Sequence, residues 1–556
     1  MQKVYNDELT FVIRQCRQHF WTALIFSLAI NVLYLAAPLY MLQVYDRVIT
    51  SGSEITLLML TLILLLTLAA LSGLDFVRAR ILTRASVRLD RLLSQRIVSA
   101  TLQSIVRFSS TAHSPIRDFD TFRQFVTGTG IQALFDLPWA PIYILIIFML
   151  HPALGAFAFS CAIILILMAL LNERILKTPF AESSEAGARN YKFTEMTLRN
   201  AEVVQAMGML PGLLHRWSND RNLALQKQSS ASDRAAAVQS TIRFFRLAMQ
   251  SLILGLGAFL VIEKFITVGA MFAGSILLGR ALQPIEQIVG SWRTLITAKS
   301  AYRRIKQLLL DNPTPATSLE LPKPLGQLCV EKLNYVAPGT NHHILKNINF
   351  ELEPGKLLGI VGPSGAGKST LSRQLIGILA PSTGAVRLDG ADVSKWNRDL
   401  LGRYIGYLPQ DIELFDDTVA ANISRFRTGS DAEVIEAARL AGVHEMILRL
   451  PSGYETQIGD NSAVLSGGYR QRIGLARAVF GNPSLVVLDE PSSNLDTDGD
   501  IALLACLTDL KRRGAAVVII SHRTNTLGVV DRLLVLKDGA AEISRSEEHT
   551  SELQSH

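Results

Sequence analysis

Four apolar runs constrain this chain more than any other feature of its sequence. They occupy residues 21–42, 55–74, 137–172 and 244–283. Each of the first two reaches the ~20 residues that a helix needs to cross a bilayer. The other two are longer and are interrupted only by His151-Pro152 and by Glu263-Lys264, so each predicts two helices joined by a tight turn. The sequence therefore predicts six membrane-spanning helices. Helices buried in a large soluble core are the alternative, but such helices seldom run to this length without a charged face.

The overall composition agrees with a membrane protein. The mean hydropathy is +0.27 and only 19% of the residues are charged, which is too apolar for an ordinary soluble protein. The formal net charge of +7 could reflect nucleic-acid binding, but arginines just outside the apolar runs explain the same excess. We therefore expect a lipid bilayer and no nucleic acid as a partner. The four cysteines are far apart and predict neither a disulfide framework nor a metal site.

The distribution of basic residues predicts the orientation in the membrane. Nine arginines lie between Arg78 and Arg123, and a further basic set runs from Arg174 to Arg243. The connections on the opposite side hold only Arg47 and Lys264. Because cytoplasmic loops carry the excess of Lys and Arg, the long loops and both termini are predicted to be cytoplasmic.

The cytoplasmic segments are predicted to be helical extensions of the spans. Arg80, Arg84, Arg88 and Arg91 fall on one stripe at helical spacing. A charge run of this kind usually marks a face in contact with solvent or lipid headgroups, so we do not interpret it as a binding site.

A change in composition near residue 312 predicts a domain boundary. The stretch "DNPTPATSLELPKPLG" holds four prolines, and the sequence after it alternates between strand-like and helix-like segments. We therefore predict an α-helical transmembrane domain over residues 1–315 and an α/β nucleotide-binding domain over residues 316–544.

A glycine-rich loop identifies the nucleotide chemistry. The stretch "GIVGPSGAGKST" follows an apolar strand and precedes a helical segment. In that context, glycines let backbone N–H groups point at phosphate oxygens, Lys368 contacts the β- and γ-phosphates of ATP, and the Ser369 hydroxyl is a ligand of Mg²⁺. The predicted loop comprises Gly362, Pro363, Ser364, Gly365, Ala366, Gly367, Lys368, Ser369 and Thr370.

Two further apolar strands end in polar residues. "SLVVLDEP" predicts Asp489 and Glu490 at the C-terminal edge of a sheet, where ligands of α/β domains bind. Asp489 would then hold Mg²⁺, and Glu490 would be the general base for a water attacking the γ-phosphate. "VVIISHR" places His522 at the same edge, where we expect it to contact the γ-phosphate.

The stretch "LSGGYRQR", residues 465–472, shortly before the Asp489 strand, completes a resemblance to ATP-binding cassette (ABC) transporters. The resemblance extends over nearly the whole chain. It implies that Gln410 senses Mg²⁺ and couples to the membrane helices, that Asp496 lies in a loop crossing a dimer interface, and that Tyr335 stacks on adenine. An ordinary strand tyrosine is the alternative for Tyr335.

The signature residues imply a dimer. In this family Ser466, Gly467 and Gly468 pack against ATP held by the other subunit, so the resemblance implies a homodimer with two shared sites for ATP and Mg²⁺. Two departures from the family pattern are present: Tyr469 stands where glutamine is usual, and Asp460 where glutamate is commoner.

Within the family, "PLYMLQVYDRVI" at 38–49 and "LFDLPWAPIYIL" at 134–145 resemble the permease/ATPases of bacterial type I secretion. This resemblance implies ATP-driven export of a protein cargo across the inner membrane, with a membrane fusion adaptor and an outer-membrane tunnel protein. A lipid or drug exporter is the alternative, and a nucleotide-gated channel is an alternative of another class.

The two ends of the sequence lead to two further expectations. Only 20 residues precede the first span, so no N-terminal peptidase domain is expected and the cargo would keep its signal. The last stretch, residues 545–556, resembles a translated sequencing adapter, and we interpret it as a non-native tail.

Overall fold

A computed structural model describes residues 8–108, 115–313, 321–337, 342–459 and 465–545. The chain divides into two compact units, each described separately below. The first comprises residues 1–104 and 111–313, and the second comprises residues 105–110 and 314–556. Asp460, one of the two departures from the family pattern, and residues 546–556 of the proposed tail lie outside the described residues.

The first unit is helical. Its helices are α1 (Glu8–Gln15), α2 (Arg17–Leu33), α3 (Ala36–Gln43), α4 (Ile49–Ser51), α5 (Glu54–Phe108), α6 (Pro115–Thr127), α7 (Thr129–Asp136), α8 (Ala140–Leu150), α9 (Pro152–Arg199), α10 (Ala201–Ala206), α11 (Leu210–Ile262), α12 (Val268–Gly290) and α13 (Trp292–Asp311). A π-helical turn, Val44–Val48, joins α3 to α4, and a 3₁₀ turn, Leu137–Trp139, joins α7 to α8.

The prediction of six membrane-spanning helices is confirmed. Within the described residues, six helical segments are long and apolar enough to cross a bilayer: Arg17–Ser51, Glu54–Ile105, Thr129–Leu150, Pro152–Arg199, Leu210–Ile262 and Val268–Gly290. The His151-Pro152 and Glu263-Lys264 interruptions are the breaks between neighbouring spans, as predicted.

Three of these helices are much longer than a bilayer is thick. Helix α5 has 55 residues, α9 has 48 and α11 has 53, so each is about 70–80 Å long. The hydrocarbon core is only about 30 Å thick. Arg80, Arg84, Arg88 and Arg91 are all exposed on α5, in agreement with a solvated face.

Two apolar clusters hold the helical unit together. One is formed by α8, α9, α11 and α12 and includes the buried side chains of Ile147, Leu165, Ile253 and Leu278. The other joins α1, α5, α6 and α13 and includes Leu9, Leu93, Phe119 and Ile305.

The second unit is an α/β domain. Its strands are β1 (Leu328–Val336), β2 (His343–Leu352), β3 (Leu357–Val361), β4 (Thr383–Leu388), β5 (Ala391–Asp392), β6 (Ile405–Leu408), β7 (Asp417–Thr418), β8 (Gln457–Ile458), β9 (Leu485–Asp489), β10 (Ala516–Ile520), β11 (Arg532–Lys537) and β12 (Ala540–Arg545). Its helices are α14 (Lys368–Leu375), α15 (Arg398–Leu401), α16 (Val419–Ser424), α17 (Asp431–Leu440), α18 (His444–Leu448), α19 (Gly467–Val479), α20 (Thr497–Arg512) and α21 (Thr524–Leu527).

The described strands form three sheets. The six-stranded sheet has the order β12-β11-β3-β10-β9-β6, the four-stranded sheet has the order β2-β1-β4-β5, and β7 pairs with β8. Within the large sheet β11, β3, β10, β9 and β6 are parallel neighbours, and β12 is antiparallel to β11.

The central strands of the large sheet are buried on both faces. On β10, the side chains of Val517 and Ile519 pack in one apolar cluster with helices α16, α17, α19 and α20. Val518 and Ile520 of the same strand pack in a second cluster with α14 and the four-stranded sheet. Parallel strands covered on both faces become near-continuous apolar runs, which is why "SLVVLD" and "VVIIS" lack polar alternation.

Candidate nucleotide-binding site

Several of the predicted site residues lie at one edge of the six-stranded sheet. Strands β3, β10, β9 and β6 are adjacent and parallel, so their C-terminal ends lie side by side. The glycine-rich loop follows β3, His522 follows β10, Glu490 follows β9 and Gln410 follows β6. The order of the strands in space therefore brings together residues from four separate parts of the sequence.

The glycine-rich loop has a backbone that its glycines make possible. Gly365 and Gly367 have φ values of 81° and 98°, in the left-handed region that favours glycine. A Cβ atom at Gly362 would lie 2.2 Å from the carbonyl oxygen of Leu536. The loop thus passes close to β11 and then leads into the N-terminus of α14. The first backbone N–H groups of a helix have no partner within the helix and point out of its N-terminal end, toward a ligand that binds there.

Lys368 is buried at the start of α14. Its ammonium group donates to the carbonyl oxygens of Gly362 (2.6 Å) and Pro363 (3.0 Å). These contacts hold the ammonium group of Lys368 inside the glycine-rich loop, where we expect the phosphates of ATP to bind.

Asp489 is buried at the end of β9, beside the first turn of α14. The Ser372 hydroxyl lies 3.5 Å from one of its carboxylate oxygens. Burial raises the pKa of the Asp489 carboxyl above its usual value, and hydrogen bonding from the Ser369 hydroxyl opposes that shift. Asp489 and Ser369, the two residues predicted to hold Mg²⁺, are therefore neighbours.

Glu490 is the residue around which the other predicted catalytic groups gather. The side-chain amide of Gln410 donates to one carboxylate oxygen over 3.4 Å, and His522 Nε2 lies 3.8 Å from the other. The backbone of Glu490 has φ of 50°, a left-handed conformation that is uncommon for this residue type. Strain of this kind persists where the surrounding structure fixes the backbone.

One residue that supports Glu490 was missed by the sequence interpretation. Gln471 is buried in α19, and its amide donates to the carbonyl oxygens of Glu490 (3.3 Å) and Pro491 (2.8 Å). The backbone N–H of Glu490 also donates to the carbonyl of Ile520 on β10. Gln471 is part of the quoted stretch "LSGGYRQR", but neither its burial nor its contact with Glu490 is visible in that stretch.

The signature residues form the beginning of a helix. Ser466 is the N-cap of α19, and its hydroxyl accepts a hydrogen bond from the backbone N–H of Tyr469 over 3.5 Å. Gly467 and Gly468 are the first two helical residues. A Cβ atom at Gly468 would lie 3.3 Å from the carbonyl oxygen of Asn494. Within the described part of the single chain, no hydrogen bond links Ser466, Gly467 or Gly468 to the glycine-rich loop.

Asp496 has a clear local role in the structure. It is the N-cap of α20, where its carboxylate accepts from the backbone N–H of Gly499 over 2.8 Å. The same carboxylate pairs with the guanidinium of Arg472 over 2.6 Å. Hydrogen bonding to Gly499 and to Arg472 lowers the pKa of Asp496. Arg472, from the signature helix, is a second residue that the sequence interpretation did not assign.

Tyr335 lies on a different sheet from the other site residues. It is half-buried on β1, paired with Leu345 of β2. Leu345 itself approaches the loop, because a Cβ atom at Gly367 would lie 2.9 Å from its Cδ2 atom. No stacking partner of Tyr335 is found among the described aromatic residues.

The residues present fit ATP and Mg²⁺. The loop combines left-handed glycines, a helix N-terminus and a buried lysine, which together suit a polyphosphate. Ser369, Asp489 and Gln410 offer oxygen atoms, the ligand type that Mg²⁺ prefers.

Comparison with known families agrees with both units. Residues 345–493 match the model of the ABC transporter domain, and residues 20–284 match that of the ABC transporter transmembrane region. The chain belongs to the ABC transporter family. The transporter is accordingly an ATPase that couples ATP hydrolysis to transport, and it is a multi-pass membrane protein. The family resemblance and the fold class predicted from the sequence are confirmed.

Two relatives of the transporter are named as proteins of type I secretion and of leukotoxin translocation. It is 40% identical over 537 residues to the type I secretion system ATP-binding protein PrsD of Rhizobium meliloti (strain 1021), covering 96% of this chain and 92% of that protein. It is 28% identical over 550 residues to the leukotoxin translocation ATP-binding protein LktB of a Pasteurella haemolytica-like species (strain 5943B), covering 97% of this chain and 77% of LktB.

A solved structure shares the fold of the transporter. The ATP-bound structure of a bacterial Atm1-family ABC exporter superposes with a TM-score of 0.82 at 22% identity, over 97% of this chain and 96% of that chain. At this identity the likeness establishes the fold alone.

Proposed function

We propose that this transporter is the permease/ATPase that drives protein export across the bacterial inner membrane in a type I secretion system. The observation that carries the proposal is its 40% identity to PrsD over nearly the full length of both chains. The proposal includes a membrane fusion adaptor, an outer-membrane tunnel protein and a secreted protein cargo as partners.

The arrangement around Glu490 supports a hydrolytic role in preference to a nucleotide-gated channel. Glu490 would accept a proton from the water that attacks the γ-phosphate, and Gln410 would orient the carboxylate through the contact of 3.4 Å. His522, 3.8 Å from the other carboxylate oxygen, would contact the γ-phosphate. When bound, Mg²⁺ neutralises charge on the phosphate oxygens.

The other site residues receive roles in binding. Lys368 would exchange its bonds to the Gly362 and Pro363 carbonyls for phosphate oxygens. Asp489 and Ser369 would hold Mg²⁺, and Tyr335 would stack on adenine. We also propose that the domain boundary lies between residues 315 and 316.

We propose further that two copies share each nucleotide between them. The N-terminus of the signature helix presents Ser466 and two glycines and has no link to the glycine-rich loop of its own chain in the described residues. In a homodimer this helix end would contact ATP bound by the partner subunit, while Asp496 would lie at the interface.

A cross-linking experiment tests the shared site. In a Cys329→Ser background, cysteines replace Ser364 in one copy and Ser466 in the other, and an ATP-dependent cross-link between the subunits is expected. Cysteine at the exposed Ser452 is the control for Ser466, and this pair should not cross-link. A bond that forms only within one chain would exclude the shared site.

Thiol labelling tests the proposed orientation, in which both termini are cytoplasmic. In the same background, a cysteine at the exposed Ser51 should react with an impermeant reagent added outside intact spheroplasts. A cysteine at the exposed Ser230 of α11 should react only after lysis. The reverse pattern would overturn the orientation.

Deletion of the gene tests the export function itself. A protein normally found in the medium should stay in the cytoplasm at full length, and the wild-type gene should restore its export. Unchanged protein secretion together with altered membrane lipid composition or drug sensitivity would instead favour a lipid or drug exporter.

A further inference from the structure

The membrane-spanning helices contain a group of charged side chains outside the nucleotide site. Arg78 of α5 donates to Asp136 (2.9 Å) and Asp75 (2.7 Å). Arg246 of α11 pairs with Glu286 of α12 over 2.6 Å. Charges within membrane helices are costly, so they are expected to be paired or to line a functional pathway.

Arg280 of α12 differs from Arg78 and Arg246 in its partners. Its guanidinium carbon lies 3.8 Å from the centroid of the Tyr34 ring, and its Nη1 atom donates to Gln283 over 3.1 Å. No carboxylate oxygen of a described residue lies within 4 Å of it. The aromatic ring covers one face of the guanidinium, and the charge has no anionic partner within the part of the chain that the structure describes.

Arg280 lines two cavities. The larger one, about 350 Å³, is lined by Arg246, Gln250, Gly279, Arg280, Gln283 and Glu286 among others. Its two arginines and one glutamate carry a net charge of +1. The smaller one, about 160 Å³, shares Arg280 and Gln283 and holds the group of Arg78, Asp75 and Asp136, in which the carboxylates already have a cationic partner.

The larger cavity also offers neutral donors and space. The side-chain amides of Gln250 and Gln283 line it together with the arginines. At Gly279 a Cβ atom would lie 3.3 Å from Gln250 Nε2, so any larger residue there would crowd this amide. An anion that contacts Arg280 would therefore find further N–H donors next to it.

We propose that the larger cavity binds a carboxylate-bearing segment of the exported polypeptide and that Arg280 contacts the carboxylate. The inference rests on the proposed export function. A planar guanidinium can donate two parallel hydrogen bonds to a carboxylate, and the partly desolvated surroundings strengthen them. The phosphate of an anionic lipid headgroup has the same chemistry, and the experiment distinguishes the two sources.

Peptide binding to the purified full-length transporter tests the proposal. The protein is placed in phosphatidylcholine nanodiscs, and the probes are fluorescent Gly-Ser peptides carrying aspartate, lysine or only serine at matched positions. The aspartate peptide is expected to bind about tenfold more tightly than the lysine peptide, which is the scale of one charged hydrogen bond. Equal affinity for all three peptides would overturn the proposal.

Variants at Arg280 make the test specific. Arg280→Gln should remove the preference for aspartate, and Arg280→Glu should reverse it in favour of lysine. Reversal cannot result from misfolding, so this variant keeps the test valid even if Arg280→Gln is unstable. Arg243→Gln, on the exposed face of α11, is the matched control and should keep the wild-type preference. An aspartate preference retained in Arg280→Glu would contradict the proposal.

The same peptide-binding measurement is repeated in nanodiscs containing phosphatidylglycerol. If the polypeptide is the occupant, the aspartate preference persists in them. If phosphatidylglycerol abolishes peptide binding and Arg280→Gln weakens retention of that lipid, the occupant is a lipid and the proposal is wrong. Because this assay measures binding and not secretion, its failure leaves the proposed export function to be judged by the deletion experiment.

Discussion

The side-chain amide of Gln410 lies 3.4 Å from the carboxylate of Glu490, although 80 residues separate the two in sequence. Gln410 follows β6 and Glu490 follows β9, and these strands are parallel neighbours in the large sheet. The contact therefore depends on strand order. It joins the residue proposed to couple the site to the membrane helices with the proposed general base.

Replacing Glu490 by Gln should nearly abolish turnover while ATP still binds. The amide keeps the shape of the side chain but cannot accept a proton from water, so kcat is expected to fall roughly 10²–10⁴-fold. Phosphate release and binding of a fluorescent ATP analogue measure the two effects. Glu445→Gln, an exposed glutamate on α18, is the control. Turnover near the wild-type rate in Glu490→Gln would assign the base to another residue.

Two glycines of the phosphate loop should differ in their tolerance of alanine. Gly362→Ala places a methyl group 2.2 Å from the Leu536 carbonyl oxygen and is expected to destabilise the nucleotide-free protein by about 2–4 kcal/mol. Gly365→Ala meets open space and carries only the cost of a left-handed backbone, about 1 kcal/mol. Thermal unfolding compares them. Equal losses would show that the close approach to β11 relaxes at little cost.

The raised pKa of Asp489 predicts a pH dependence of Mg²⁺ binding. The nucleotide-free domain loses stability as the pH rises from the ordinary aspartate pKa through the raised one, because the folded state retains the proton longer. Mg²⁺ needs the ionised carboxylate, so Mg²⁺-dependent ATP affinity should weaken as the pH falls through the same interval. Calorimetric titration with ATP, with and without Mg²⁺ across this pH interval, measures the change in affinity.

Two aspartate variants control that pH experiment. Asp489→Asn should remove the pH dependence together with the Mg²⁺ effect, and Asp498→Asn, exposed on α20, should leave both unchanged. A pH dependence that persists in Asp489→Asn would assign it to a different group.

Asp46 should stabilise the start of the last membrane helix. From the π-helical turn before α4, its carboxylate accepts from the Thr267 hydroxyl (2.6 Å) and from the backbone N–H of Gly269 (2.9 Å) at the N-terminus of α12. Asp46→Ala is expected to cost about 1–2 kcal/mol, as loss of a helix cap does, and Asp46→Asn less.

Thermal unfolding of the purified protein in detergent measures the effect of the Asp46 variants. Glu263→Gln, at an exposed position just before this connection, is the control and should leave the unfolding temperature unchanged. If Asp46→Ala unfolds at the wild-type temperature, the contact with α12 does not contribute to stability.

The sequence by itself determined the parts of this protein that depend on neighbouring residues. Apolar runs of about 20 residues identified the six spans, since the length of a helix across a bilayer is set by its rise per residue. The glycine-rich loop and the strand ends at Asp489 and His522 were recognisable because glycine spacing and apolar strands are local patterns. The family resemblance followed from short motifs of the same kind.

Only the tertiary structure decided which of these residues meet. The sheet order β3-β10-β9-β6 differs from the order in the chain, and it places Gln410 and His522 on either side of Glu490. Neither the left-handed backbone of Glu490 nor its support from Gln471 has a local sequence pattern. That no carboxylate of a described residue pairs with Arg280 likewise depends on where the carboxylates of other helices lie. Local patterns are encoded by residues within a few positions of one another, whereas these contacts result from the packing of distant elements, which no short stretch specifies.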